Sequence, residues 1–230
     1  MDMQLNEKKA LITGSSSGIG YAIAEALAAE GADVIITGRH EITVSEAVNK
    51  IKHLHPETNP QGITGDCSTQ TGCEKIFDAA PSVDILINNL GIYERKPFFE
   101  IEDDDWMRFF EINVMSGIRF SRFYTPKMVA NKWGRVIFVS SESGLMIPPE
   151  MIHYGFSKSA QLSISRGLAM SLSGTGVTVN ALLPGPTRTD TTEKQRKERA
   201  QDWGISLETL EREFFEKFRP TSVIQRFAEA

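Results

Sequence analysis

Short apolar runs rich in β-branched residues alternate with amphipathic stretches from the N-terminus to about residue 184, and this alternation constrains the fold more than any other feature. The runs are KKALITG, DVIITGR, QGITGDC, DILINN, RVIFVSS and VTVNALL. Between them lie YAIAEALAAEGA, TVSEAVNKIKHL, a long helical stretch over about 103–131 and another over about 152–173. Strands separated by helix-length connections cannot close as hairpins, so each must cross over and return parallel to its predecessor. The pattern predicts six strands and five helices in an α/β fold with a parallel sheet. No internal repeat, low-complexity block or long Gly/Ser linker interrupts the chain, so a single domain over 1–230 is expected. After Pro186 the sequence turns charged and helical, with Trp203, Phe214 and Phe215 as its apolar points. The segment over about 187–220 reads as a lid over a pocket.

The first turn, TGSSSGIG, joins strand to helix. Gly14, Gly18 and Gly20 permit a tight turn and a close backbone approach. The residues between them, Ser16, Ser17 and Ile19, open a helix whose free N–H groups and positive dipole end suit a pyrophosphate. The spacing is GxxxGxG, not GxGxxG, and no Lys-Ser/Thr pair follows as in a P-loop. Such a turn can be no more than a turn; between a buried strand and a helix it reads as a dinucleotide site. The second strand ends in TGRH, without the acid that would accept from a ribose 2′-OH. Arg39 there suits a 2′-phosphate, which favours NADP(H) over NAD(H), although it could equally be a solvated loop cation. Asp66 and Cys67 end the third strand in GDCS, where the carboxylate could hold an adenine amino group or cap the next helix.

A third cluster spans Ser140 to Lys158, SSESGLMIPPEMIHYGFSK. Tyr154 and Lys158, spaced i and i+4, share a helix face. An ammonium about 4 Å from a phenolate, at an effective dielectric near 20, gains roughly 4 kcal/mol. That corresponds to roughly 3 pKa units and could bring a tyrosine towards neutrality, where it works as a general acid–base. Ser141 could hold the oxygen that exchanges the proton. Taken alone, a Tyr and Lys at this spacing are more commonly a solvated helical pair.

With TGSSSGIG, NNLG at Asn88–Gly91, Asn113, Ser141, YGFSK and PGPTRT at Pro184–Thr189 in this order, the sequence resembles the short-chain dehydrogenase/reductase family over nearly its whole length. The resemblance implies a Rossmann-type doubly wound parallel sheet with NAD(P) across the carboxyl ends of its strands. It also implies reversible hydride transfer between a carbonyl and a secondary alcohol. Carried over by position, Tyr154 is the acid–base, Lys158 lowers its pKa and grips the nicotinamide ribose, and Ser141 polarises the substrate oxygen. Asn113 holds a water linking Lys158 to solvent. Asn89 and Gly91 contact the adenosine side of the cofactor, and Pro184, Gly185, Thr187 and Thr189 its carboxamide end, with the threonines as helix caps in the alternative. Ser143 is a competing hydroxyl, but Gly144 follows Ser141 at the family's spacing.

Two departures stand out. The usual NNAG is NNLG, so Leu90 must find room. The family normally adds a helix, a seventh strand and a tail beyond the point where this sequence stops; the natural chain being longer is the favoured expectation, against a partner or the lid covering the exposed sixth strand. That departure also motivates an alternative, a non-catalytic cofactor-binding or regulatory protein.

A net charge of −5 argues against nucleic acid. No signal peptide precedes KKALITG and no apolar run approaches the roughly 20 residues of a membrane span, so a cytoplasmic protein is expected. Cys67 and Cys73 lack metal-ligand spacing and are expected reduced and unbridged, with no metal. Ser141 lacks the G-x-S-x-G elbow of a hydrolase. The expected partner is a small carbonyl or alcohol, with Ile92, Tyr93, Phe98, Leu145, Met146, Ile147 and Met151 as an apolar pocket wall alongside the lid aromatics. The helices over about 103–131 and 152–173 are the expected pairing surface of a homodimer, or of a homotetramer.

Overall fold

The computed structural model describes residues 3–230. They form two compact units, one ending at Leu183 and the other running from Pro184 to Ala230.

The first unit carries a six-stranded parallel sheet in the order β3-β2-β1-β4-β5-β6. Its strands are β1 (Lys9–Ile12), β2 (Asp33–Gly38), β3 (Gln61–Thr64), β4 (Ile85–Asn88), β5 (Gly134–Val139) and β6 (Val177–Leu182). The order reverses between β1 and β4, with Ala10 in register with Val34 on one side and Ile85 on the other. Side chains alternate across the sheet. Ala10, Ile12, Val34, Ile36, Ile85 and Ile87 face one core with α1 (Gly18–Ala29) and α2 (Glu41–Leu54). Leu11, Ile35, Leu86, Val136 and Phe138 face the other. That second layer includes α3 (Gln70–Ala79), α5 (Ser116–Ala130) and α6 (Ile152–Ser171), with Phe120, Tyr124 and Met128 of α5 fully buried in it. The fold is the doubly wound Rossmann type expected, with apolar runs because both faces of the central strands are covered.

The helix expected to run unbroken over 103–131 is three pieces: α4 (Asp103–Phe109), a π-helical turn (Phe110–Met115) and α5. The turn carries Asn113, and the break follows from that side chain's tertiary bonds, described below. Six α-helices therefore precede residue 184 among the described residues, where five were expected.

The second unit contains β7 (Thr187–Arg188), α7 (Asp190–Trp203), α8 (Leu207–Phe218) and β8 (Ala228–Glu229), the two short strands pairing in parallel. Its core is aromatic: Phe215 lies 5.2 Å from Phe214 and 5.4 Å from Phe227, centre to centre. Glu211 knits it together, bonding Arg188, Arg196 and the backbone amide of Phe227. The sequence marked no boundary and a lid over about 187–220, whereas the compact unit starts three residues earlier and includes Phe227 in its core.

Candidate active site

In a parallel sheet every carboxyl end lies on one side, so the loops after β1, β2, β3, β4 and β5 gather there. They carry in turn the glycine-rich turn, Arg39, Asp66, Asn89–Gly91 and Ser141.

The glycine-rich turn is built from three strands. The Gly14 amide donates to the Thr37 hydroxyl of β2 over 3.1 Å, and Thr37 Oγ1 donates in turn to the Ile12 carbonyl over 3.0 Å. From the β4 side, Asn89 Nδ2 donates to the carbonyls of Thr13 and Gly14 at 2.8 and 3.0 Å. Gly14 takes the left-handed conformation, φ +63°, which a side chain would strain. A Cβ on Gly20 would lie 2.5 Å from Asn89 Nδ2 and 2.7 Å from the Gly14 carbonyl, so glycine lets helix and turn close on each other. The first turn of α1 has no side-chain cap from Ser17, which leaves its amides for a ligand. Ser16 packs at the exit of β2, where a Cβ on Gly38 would meet its hydroxyl at 3.1 Å, and Ile19 packs against the α1–α2 core.

Arg39 is exposed at the end of β2, and no ion pair among the described residues involves it. Asp66 Oδ1 accepts from the amide and hydroxyl of Ser68 at 2.9 and 2.6 Å. It is not the cap of α3; Thr69 is, accepting from the Gly72 amide. Cys67 is buried against Thr37, its thiol pushed up to about 11 by burial, and neither it nor Cys73 is bridged. Leu90 takes the space beside the turn, where a Cβ on Gly14 would meet its Cδ1 at 3.2 Å.

Asn113, Ser141, Tyr154 and Lys158 sit on the π turn, the end of β5 and the first turns of α6. Asn113 spends its side chain on structure: Oδ1 accepts from the Ile92 amide at 2.8 Å, and Nδ2 donates to the Ile92 carbonyl and to Ser157 Oγ, both at 2.9 Å. These bonds pin the loop after β4 to α6 through the bulge. Ser141 is the extended cap of a 3-10 turn at Glu142–Gly144, accepting from the Ser143 amide at 3.1 Å. Next to it, Ser140 Oγ donates to the Lys158 carbonyl at 2.8 Å, tying β5 to α6.

Lys158 is buried, and desolvation pushes its pKa down to about 7. Nζ donates to the Val139 carbonyl at 2.9 Å and to Gln161 Oε1 at 3.2 Å, and it lies 5.8 Å from the centre of the Tyr154 ring. A Cβ on Gly91 would come within 3.3 Å of Nζ. Lys158 of this pair is buried and Tyr154 half-buried, so the two are not the solvated helical pair that the spacing alone would suggest. Gln161 belongs to no motif; only its i+3 spacing from Lys158 points to it.

Other residues singled out by sequence have different duties. Thr189 caps α7, its hydroxyl accepting from the Thr192 amide, and Thr187 Oγ1 donates to the Gly185 carbonyl at 2.9 Å. Met151 and Phe215 are core residues, not pocket wall, whereas Tyr93, Phe98, Leu145, Met146, Ile147 and Trp203 are exposed. His153 is buried edge-on to Phe109, and its burial lowers its pKa. No cluster of three or more His, Cys, Asp or Glu among the described residues could hold a metal, and no helix among them is long and apolar enough to cross a membrane.

The sequence model described as short chain dehydrogenase matches residues 8–200. The chain belongs to the short-chain dehydrogenase family. The uncharacterised oxidoreductase YvaG of Bacillus subtilis is 47% identical over 226 residues, covering 98% of this chain and 86% of that one. The D-beta-hydroxybutyrate dehydrogenase of Cupriavidus necator is 34% identical over 221 residues, covering 94% and 85%. Among solved structures, L-sorbose reductase from Gluconobacter frateurii, complexed with NADPH and L-sorbose, superposes with a TM-score of 0.92 at 30% identity, covering 100% of this chain and 87% of that one. Short-chain dehydrogenases are oxidoreductases that use NAD(P)(H), and the residues present fit such a group. The uncapped amides of α1 stand behind a turn that a Cβ on Gly20 would fill, and Gly91 leaves the approach to Lys158 Nζ clear.

Proposed function

We propose that the protein interconverts a carbonyl and a secondary alcohol with NADP(H), using Tyr154 as the acid–base. The observation that carries this reading is the burial of the Lys158 ammonium, without a counter-ion among the described residues, 5.8 Å from the Tyr154 ring. An uncompensated buried cation costs stability, and such costs concentrate at functional sites.

Bound, the dinucleotide supplies a hydride to the substrate carbon or takes one from it. In the reductive direction Tyr154 gives its phenolic proton to the substrate oxygen as charge develops there; in the oxidative direction it takes that proton back. Lys158, when charged, favours the phenolate and so eases this transfer. Ser141 donates to the same oxygen and orients it. Asn113 acts on the site by holding the loop after β4 and Ser157 in place.

Around the cofactor, the turn from Gly14 to Gly20 and the first amides of α1 are proposed for the pyrophosphate, with Ser16, Ser17, Gly18 and Ile19 in contact. Arg39 takes the 2′-phosphate, Asp66 and Cys67 flank the adenine, and Asn89 and Gly91 flank the ribose. Lys158 offers its remaining proton to the nicotinamide ribose. Pro184, Gly185, Thr187 and Thr189 are proposed for the carboxamide. Preference for NADP(H) is supported by Arg39 and by the NADPH bound to L-sorbose reductase. The exposed Leu145, Met146, Ile147 and Tyr93 support a hydrophobic ketone or secondary alcohol as substrate. The segment over about 187–220 is proposed as the substrate lid. The exposed Met107 and Phe156 on α4 and α6 support a homodimer paired through α4, α5 and α6, with a homotetramer as the alternative.

The test is consumption of NADPH against a panel of ketones, with Tyr154→Phe as control. Cofactor binding without turnover across the panel would favour the regulatory alternative.

A further inference from the structure

Gln161 is buried on α6, one turn beyond Lys158, and its amide is fully used. Oε1 accepts from Lys158 Nζ at 3.2 Å, and Nε2 donates to the backbone carbonyl of Asn113 at 2.6 Å. That carbonyl lies in the π turn, where the helical ladder is out of its usual register. One neutral side chain therefore spans the cation and the bulge that faces it.

We infer that Gln161 is a positioning residue of the catalytic set, an amide bridge that ties Lys158 Nζ to the Asn113 carbonyl and, with the Val139 carbonyl, holds the ammonium 5.8 Å from the Tyr154 ring. The inference rests on the oxidoreductase reading for its catalytic meaning, but the bridge itself is a property of the free protein. A lysine on a flexible four-carbon stem can direct its charge many ways. Here two of the three ammonium protons are committed, one to the end of β5 and one to Gln161, which fixes the direction of the third. Both partners are neutral, so in the protonated form no carboxylate among them offsets the ammonium's charge beside Tyr154.

The groups facing Nζ are the Val139 carbonyl, the Gln161 amide, the Tyr154 ring and the backbone of Gly91, and Tyr154 is the titratable one among them. No charged side chain among the described residues contributes to the Lys158 shift, which has burial as its cause. Removing the acceptor from Gln161 therefore removes a principal support of the charged form.

The experiment is NMR titration of the Lys158 side chain in the cofactor-free protein, for wild type, Gln161→Met and Gln161→Glu. Thermal melts check the fold, and NADPH binding is followed by fluorescence. A lost hydrogen bond to a charged group corresponds to about one pH unit. Gln161→Met is expected to lower the Lys158 pKa by about that much and to weaken NADPH binding severalfold. Gln161→Glu, which keeps the acceptor and adds charge, is expected to raise the pKa. A Lys158 titration unmoved in either folded variant, or lowered by the glutamate, would overturn the bridge. Expected shifts in a protein that neither binds NADPH nor turns over any ketone would keep the bridge and sink the oxidoreductase reading instead.

Discussion

Lys158 donates from Nζ to the carbonyl of Val139 across 2.9 Å, from a side chain almost wholly withdrawn from water. Its pKa, pushed down to about 7 by burial, lies below that of the unfolded chain. A depressed lysine costs stability in full below pH 7, where folded and unfolded forms are both charged. That cost is relieved as pH rises from 7 towards the unfolded value near 10.4, because the folded form sheds its proton first. Lys158→Met is therefore expected to melt above wild type at pH 6, by about 3 °C or more, with a gap that narrows by pH 9. Calorimetric melts at the two pH values check this, and a gap that widens would contradict it.

Tyr154→Phe removes the hydroxyl of the proposed acid–base. General acid–base groups contribute about 10²–10⁴-fold, so kcat for NADPH-dependent reduction should fall by that factor while NADPH affinity stays within about twofold. Steady-state kinetics and calorimetric titration separate the two, and undiminished turnover would remove Tyr154 from the mechanism.

Arg39 is exposed and without an ion-pair partner among the described residues, so its removal should disturb no fold. Arg39→Ala is expected to weaken NADPH binding about tenfold or more, the worth of one charge-assisted hydrogen bond, and to leave NADH binding alone. Equal loss for both cofactors would assign the 2′-phosphate to some other group.

Gly20→Ala would place a methyl group 2.5 Å from the Asn89 amide nitrogen. Either Asn89 leaves the glycine-rich turn or α1 shifts away from it. Overpacking of this kind typically costs about 1–3 kcal/mol. The loss should show both as a lower denaturation midpoint and as weakened binding of either cofactor, because both share the pyrophosphate.

Phe215 is the centre of the aromatic core of residues 184–230. Phe215→Ala should cost about 3–5 kcal/mol locally. Limited proteolysis should then cut within 184–230 well before the sheet, since that unit has its own core.

The sheet was legible because its period is local: Ala10 and Ile12 point to one layer and Leu11 to the other, and the sequence carries that alternation itself. The candidate site could be placed in outline because the motif residues Gly14, Asn89 and Ser141 follow the ends of strands. What escaped depends on contacts distant in sequence. FEINVM contains no helix breaker, so nothing local announces the π turn; Asn113 produces it by reaching Ile92 and Ser157. Gln161 resembles any polar helix residue until the Asn113 carbonyl is set beside it. Met151 and Phe215 looked like pocket wall because an apolar side chain does not declare which face of its helix is covered.

The pairing of β1 with β4 also fixes a schedule. The Thr13 hydroxyl that accepts from the Asn89 amide lies 76 residues earlier in the chain. On a ribosome adding about 5–20 residues per second, the glycine-rich turn emerges several seconds ahead of the strand that completes it. Pulse-labelled exchange should find the Thr13 amide, which donates to the Ile87 carbonyl, protected no earlier than β4. The glycine-rich turn, tied to Asn89 beyond β4, cannot be complete until residue 89 has been made.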